Sequence, residues 1–197
     1  MERLEISNSI VVLAPNESLS LPSTLLDLIL LETGLSQKSA IEKPANLRRL
    51  RMLAIREVGA GTALDDLENM LACDEQTTNE VPSQIESLKL WIPFWEKQQI
   101  LQLLRHPRLQ KLQHVGLMDC RAVDDEVAEV LAVVAKDLET LQLPFSRMTG
   151  IGLKTLVQSC AALAAVDLDN CDRVSLDAVE WARSQGVSIS LKMNLGR

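Results

Sequence analysis

The chain has 197 residues, 47% apolar but only 3% aromatic, with no Tyr and a formal net charge of −7. That length allows one sizeable domain or a repeat array growing along one axis, with an interior built from Leu, Val, Ile and Ala. The acidic balance argues against a general nucleic-acid or anionic-membrane binder, because both need a dense cationic surface.

No opening segment combines a basic region, an apolar core and a small-residue cleavage site, and no apolar run approaches the ~18 residues needed to span a bilayer. A soluble protein of the cytoplasm or nucleus is expected. Cys73, Cys120, Cys160 and Cys171 form no C-x-x-C pair. They lie in segments with apolar periodicity and read as reduced thiols, with neither a disulfide frame nor a zinc site indicated.

In chain order, the apolar pattern opens with Met1, Leu4 and Ile6, spaced L-x-x-L-x-L. The alternating last pair marks a strand with one buried face. Leu21 to Ile29 reads as a repeat helix, and Ser36 to Asn46 as an irregular loop. Arg48-Arg49-Leu50-Arg51, the most basic stretch, carries periodic leucines and reads as a solvated face. The strand pattern returns at Leu50, Leu53 and Ile55, followed by a helical stripe of Leu64, Leu67, Met70 and Leu71 and a second irregular stretch around Asp74 to Pro82.

From Ile85 the pattern is regular. Strand marks fall at Ile85, Leu88, Leu90; Leu112, Val115, Leu117; Leu138, Leu141, Leu143; and Leu163, Val166, Leu168, with a degenerate last copy at Val187, Ile189, Leu191. The intervals from Leu90 to Leu117, Leu143 and Leu168 are 27, 26 and 25 residues, inside the ~20 to 29 of a strand-bearing repeat. Those from Ile6 to Ile55 and from Ile55 to Leu90, 49 and 35, imply insertions in the first half.

Each mark is followed by apolar residues at helical spacing: Ile100, Leu103, Leu104; Val127, Val130, Leu131, Val134; Leu153, Leu156, Val157, Cys160; and Leu176, Val179, Ala182. Asp124, Thr149 and Ser175 stand where N-caps are needed. One such unit cannot bury its own apolar edge, so stacking is required, strand beside strand and helix beside helix.

Three stretches carry a resemblance: Val115-Gly116-Leu117-Met118-Asp119-Cys120, Leu141-Gln142-Leu143-Pro144-Phe145-Ser146 and Val166-Asp167-Leu168-Asp169-Asn170-Cys171. With the turn Arg147 to Leu153 and the run Cys160-Ala161-Ala162-Leu163, they resemble the cysteine-containing subtype of the leucine-rich repeat. The resemblance implies an α/β leucine-rich repeat solenoid, a right-handed βα superhelix with a curved parallel sheet and helices on the convex side. It would be a single domain over 1–197 of about six to seven repeats, irregular with insertions in 1–84 and regular in 85–182.

Many F-box proteins carry such arrays, in which the repeats capture a substrate for a ubiquitin ligase. The resemblance therefore implies substrate recognition, with ligase components as partners. Leu21-Pro22-Ser23-Thr24-Leu25-Leu26-Asp27-Leu28-Ile29 also resembles the opening of an F-box, without the later Cys-x-x-x-Trp. A second reading is a GTPase-activating or other regulatory leucine-rich repeat protein acting through a loop arginine such as Arg56 or Arg147, and a third is an assembly or structural factor, neither with a ligase link.

Alternation along the strands sends three rows to the concave face. They are Arg3, Met52, Ser87, His114, Thr140, Ala165; Glu5, Ala54, Lys89, Gly116, Gln142, Asp167; and Ser7, Arg56, Trp91, Met118, Pro144, Asp169. Trp91, Met118 and Pro144 form an apolar strip beside Lys89 and Gln142, the aromatic-anchor and polar-rim pattern of protein interfaces. Phe94 and Trp95 either extend it or fold back as core. Asp167, Asp169 and Asp172 suit a basic partner surface better than catalysis or a divalent cation, since no His or activated nucleophile accompanies them.

Protein-binding candidates are thus Trp91, Met118, Pro144, Lys89, Gln142, Arg56, Asp167 and Asp169. His106 and His114 lack a nucleophile at recognisable spacing, and no Gly-rich phosphate loop is present. No catalytic, metal or cofactor residue is assigned, and the expected partner is a protein, not nucleic acid, membrane or a small-molecule substrate.

Overall fold

The computed structural model describes residues 2–7, 10–11, 21–22, 24–31, 34–35, 47–53, 56–57, 67, 71 and 84–193. The chain divides into two compact units, Met1–Ile85 and Glu86–Arg197. Both are built on parallel strands.

The second unit follows the repeat closely. Strands β7 (Ser87–Trp91), β8 (His114–Met118), β9 (Thr140–Gln142), β10 (Ala165–Asp167) and β11 (Ser188–Ser190) lie side by side in chain order. Their register places Leu88 beside Val115, then Leu141, Val166 and Ile189. Helices α1 (Lys97–Leu104), α2 (Asp125–Val134), α3 (Gly150–Ser159) and α4 (Leu176–Ser184) connect consecutive strands, as parallel neighbours require. Leu90, Leu117, Leu143 and Leu168 are all buried, together with helix residues such as Ile100, Leu131, Leu156 and Val179.

The caps act as expected. Asp124 accepts from the Glu126 and Val127 amides, Thr149 Oγ1 from Ile151 N–H, and Ser175 Oγ from Ala178 N–H. Two structural devices repeat beyond them. The carbonyl before β7, β8 and β9 receives two amides of the next unit, Glu86 O from Gln113 and His114, Gln113 O from Glu139 and Thr140, and Glu139 O from Ala164 and Ala165, while Ala164 O before β10 receives Ser188 N–H. Two residues past the register marks, Asp119, Asn170 and Phe145 take left-handed backbone angles, φ 57°, 61° and 63°. The chain turns there from strand towards helix.

The first unit corrects two expectations. Leu21 to Ile29 is not a repeat helix: Asp27–Leu31 is strand β3, paired in parallel between β1 (Arg3–Ser7) and β5 (Arg49–Leu53). Leu28 and Ile29 are both buried, so the strand is covered on both faces and its sequence is a continuous apolar run that also satisfies helical spacing.

In addition, the third strand pattern begins at Leu47, not Leu50. Leu50 aligns with Leu28 and Leu4, and Met52 with Leu30 and Ile6. Leu47-x-x-Leu50-x-Met52 and Leu50-x-x-Leu53-x-Ile55 both fit the pattern, and the odd offset between them exchanges the two faces of the strand. Leu25-x-x-Leu28-x-Leu30 is the copy between. The interval of 49 thus contains two short repeats, 24 residues from Arg3 to Asp27 and 22 from Asp27 to Arg49.

The same carbonyl device serves here, Glu2 O receiving Leu26 and Asp27, and Leu26 O receiving Arg48 and Arg49. A second parallel sheet of two-residue strands, β2 (Ile10–Val11), β4 (Gly34–Leu35) and β6 (Arg56–Glu57), repeats at the same intervals. Leu67 and Leu71 are helical and buried. The proposed insertions around Ser36 to Asn46 and Asp74 to Pro82 lie outside the described residues, as do Ala54, Ile55 and Cys73.

Candidate protein-binding surface

In the second unit, the sheet face opposite the buried leucines carries the rows read from the sequence. Ser87, His114, Thr140 and Ala165 are register partners, with His114 Nδ1 2.8 Å from Thr140 Oγ1. Lys89, Gly116, Gln142 and Asp167 form the next row, and Trp91 stands opposite Met118 in the third. Trp91 is 37% exposed. Gly116 has a packing role: a Cβ there would lie 3.0 Å from Lys89 Cγ and 3.4 Å from Gln142 Oε1. Its bare backbone lets the Lys89 stem and the Gln142 amide lie close over β8.

Two members of the expected set are placed differently. Pro144 is buried. Strand β9 ends at Gln142, so the alternation that would aim Pro144 outward is already broken by the turn at Phe145. Phe145 itself is 39% exposed, a candidate that sequence reasoning missed. Its signal was an aromatic at the offset where the neighbouring units carry Asp119 and Asn170, residues that tolerate the left-handed region. Arg56 lies on β6 beside Gly34, in the short sheet, and the Ser7 row is completed instead by Leu31 and Leu53. The Trp91–Trp95 turn divides: Ile92 is buried, Phe94 is 84% exposed and Trp95 is half-buried.

The carboxylates at the far end are partly structural. Asp169 Oδ1 accepts from Ser190 Oγ at 2.7 Å and from Lys192 N–H at 2.9 Å, with Lys192 Nζ 4.0 Å from Oδ2. The Ser190 bond, helped by the Lys192 amide and ammonium, holds the Asp169 carboxyl below its ordinary range. Asp167 Oδ1 accepts Asp169 N–H at 3.0 Å. Asp172 is exposed.

The thiols pack within the turns. Cys171 Sγ donates to Leu143 O at 3.1 Å and lies 3.2 Å from Ser146 Oγ, while Cys160 Sγ reaches Ala135 O of the preceding unit at 3.5 Å. Burial pushes the thiols of Cys120, Cys160 and Cys171 up, which disfavours the thiolate a nucleophile needs. Among the described residues no cluster of three or more metal-ligating side chains occurs, and no helix is long and apolar enough to cross a membrane.

No family model matches the chain. Over 88 residues it is 28% identical to the F-box/TPR repeat protein pof3 of Schizosaccharomyces pombe, a stretch covering 44% of this chain and 15% of that protein. In fold it is similar to the crystal structure of a Bacteroides fragilis protein, with a TM-score of 0.54 at 17% identity over 88% of this chain and 48% of the other. The second likeness concerns fold alone. The chain thus spans less than half the length of either protein. Together these comparisons and the parallel sheet relate it to repeat proteins. Its strand–helix units are not the helix–turn–helix of a TPR array.

Proposed function

We propose that the chain is a leucine-rich repeat array of the cysteine-containing subtype, forming a single domain that binds a partner protein on its concave face and recognises substrates for a ubiquitin ligase. The observation that carries the binding reading is the row structure of the second unit, where partly exposed Trp91 and Met118 stand beside Lys89, Gly116 and Gln142. A partly exposed Trp with a polar rim suits a protein partner. The ligase reading leans on the F-box in the name of pof3 and on the subtype's occurrence in F-box proteins. A cytoplasmic or nuclear location and the lack of catalysis belong to the same proposal.

Affinity capture with the full chain is the test. Recovery of a ligase adaptor or cullin together with a specific client supports the ligase role; a specific client without either leaves the scaffold reading and removes the ligase. Trp91→Ala should weaken that client by about 2 kcal/mol or more while leaving the melting temperature near that of the parent. Unchanged binding would remove Trp91 from the surface.

A further inference from the structure

The lysines of the second unit are disposed unevenly. Lys97 pairs with Asp124 and Glu126, Lys111 with Asp137, and Lys192 approaches Asp169. Lys136 donates to Ala132 O, and the Lys154 ammonium lies over the Trp181 ring. Among the described lysines Lys89 is the one whose ammonium has no such partner, although its stem is held against Gly116 beside Trp91. In the same row, three strands away, Asp167 has one carboxylate oxygen engaged by Asp169 N–H and the other outside any ion pair. The row between them, Gly116 and Gln142, is uncharged.

Three strand spacings put the two charges about 14 Å apart, beyond the ~8–10 Å over which exposed charges act on one another in physiological salt. They cannot satisfy each other. Lys89 and Asp167 therefore present a fixed positive-to-negative pattern across a neutral strip, with an aromatic ring at the positive end. A complementary partner carries the opposite pattern.

We propose that this face takes a peptide segment of a partner protein bearing a carboxylate opposite Lys89, an apolar side chain against Trp91 and Met118, and a Lys or Arg opposite Asp167. The inference rests on the concave-face reading above. The separation corresponds to about four residues of an extended segment or about nine of a helix.

The probe is a displayed random library of peptides about sixteen residues long, sufficient for either conformation, selected on the full chain. Expected binders share an acidic and a basic residue at one of these spacings with an apolar residue next to the acid. Lys89→Glu should weaken them about tenfold or more, Lys89→Met less so, and the reversal Lys89→Glu with Asp167→Lys should select peptides of opposite polarity. Unchanged melting of each variant establishes that the fold is intact.

Binders that depend on Trp91 but tolerate Lys89→Glu and Asp167→Lys overturn the charge pattern and leave the surface standing. Binders indifferent to Trp91→Ala as well overturn the surface, and so does a selection that yields none. Self-association of the chain abolished by Lys89→Glu would make a second copy the occupant and overturn the peptide assignment.

Discussion

Phe145 holds a backbone conformation that costs an ordinary L-residue about 1–2 kcal/mol, at a turn position where Asp119 and Asn170 serve the adjacent units. Its ring is 39% exposed, so replacing it loses part of the ~1.5–3 kcal/mol that full burial of a Phe provides. The two effects oppose each other. Phe145→Asn is expected to change stability by less than about 1 kcal/mol in urea unfolding, and a loss above about 2 kcal/mol would show that the turn is not strained.

Asp169 gives a pH signature. Its folded carboxyl titrates below the ordinary 3.8, so its contribution to stability is complete above that value and is lost as pH falls through the lowered one. Melting should drop on acidification into this range, and the Asp169-linked part of the drop should shrink in Ser190→Ala. An NMR titration of the Lys192 amide, which bonds Asp169 Oδ1, should give a depressed midpoint that rises towards 3.8 in the variant; an unchanged midpoint would rule out the Ser190 bond as its cause.

Between elements, the helix N-termini are tied to one another. Asp125, in the first turn of α2, accepts from Thr149 N–H, Thr149 Oγ1 and Gly152 N–H at 2.8, 2.7 and 3.1 Å, capping the neighbouring α3. Carboxylates favour that end of a helix. Gly152 is required by this approach, because a Cβ would lie 2.6 Å from both Asp125 Oδ1 and Met148 Cγ. Gly152→Ala would bring about 1 kcal/mol of helix propensity against about 1–3 kcal/mol of overpacking and weakened charge-assisted bonds. A net loss of about 1–3 kcal/mol is expected, and combining it with Asp125→Ala should cost less than the sum of the single changes. Strict additivity would place the clash elsewhere.

Lys97 makes the corresponding link from α1 to Asp124 and Glu126. These bonds were invisible in sequence, where caps could be assigned to their own helices but not to the carboxylate of the preceding unit. The thiols illustrate the same limit: a small residue at a fixed offset was readable, whereas the Cys171 bond to Leu143 O required the stack.

At the scale of the whole molecule, each repeat buries its apolar edge only against its neighbours, so a core defect should spread. Leu117→Ala or Leu143→Ala should cost about 2–5 kcal/mol and lower amide-exchange protection in the adjoining strands as well as its own. A loss confined to one strand would argue against nearest-neighbour stacking. In the second unit, an unambiguous period near 26 and polar residues between the buried ones determined strands, helices, caps and two of the three surface rows. Those are consequences of periodicity, which a linear pattern contains. In the first unit, two overlapping patterns around Leu50 and an apolar run at Leu25 to Leu31 left face and element type undecided. Only pairing with adjacent strands chose between them, because Leu28 and Ile29 are both buried in the folded chain and the register with β1 and β5 sets which residues share a face. The burial of Pro144 and the linked helix ends were likewise decided by tertiary structure, since a turn's path and a contact between units depend on atoms about 25 residues apart in the chain.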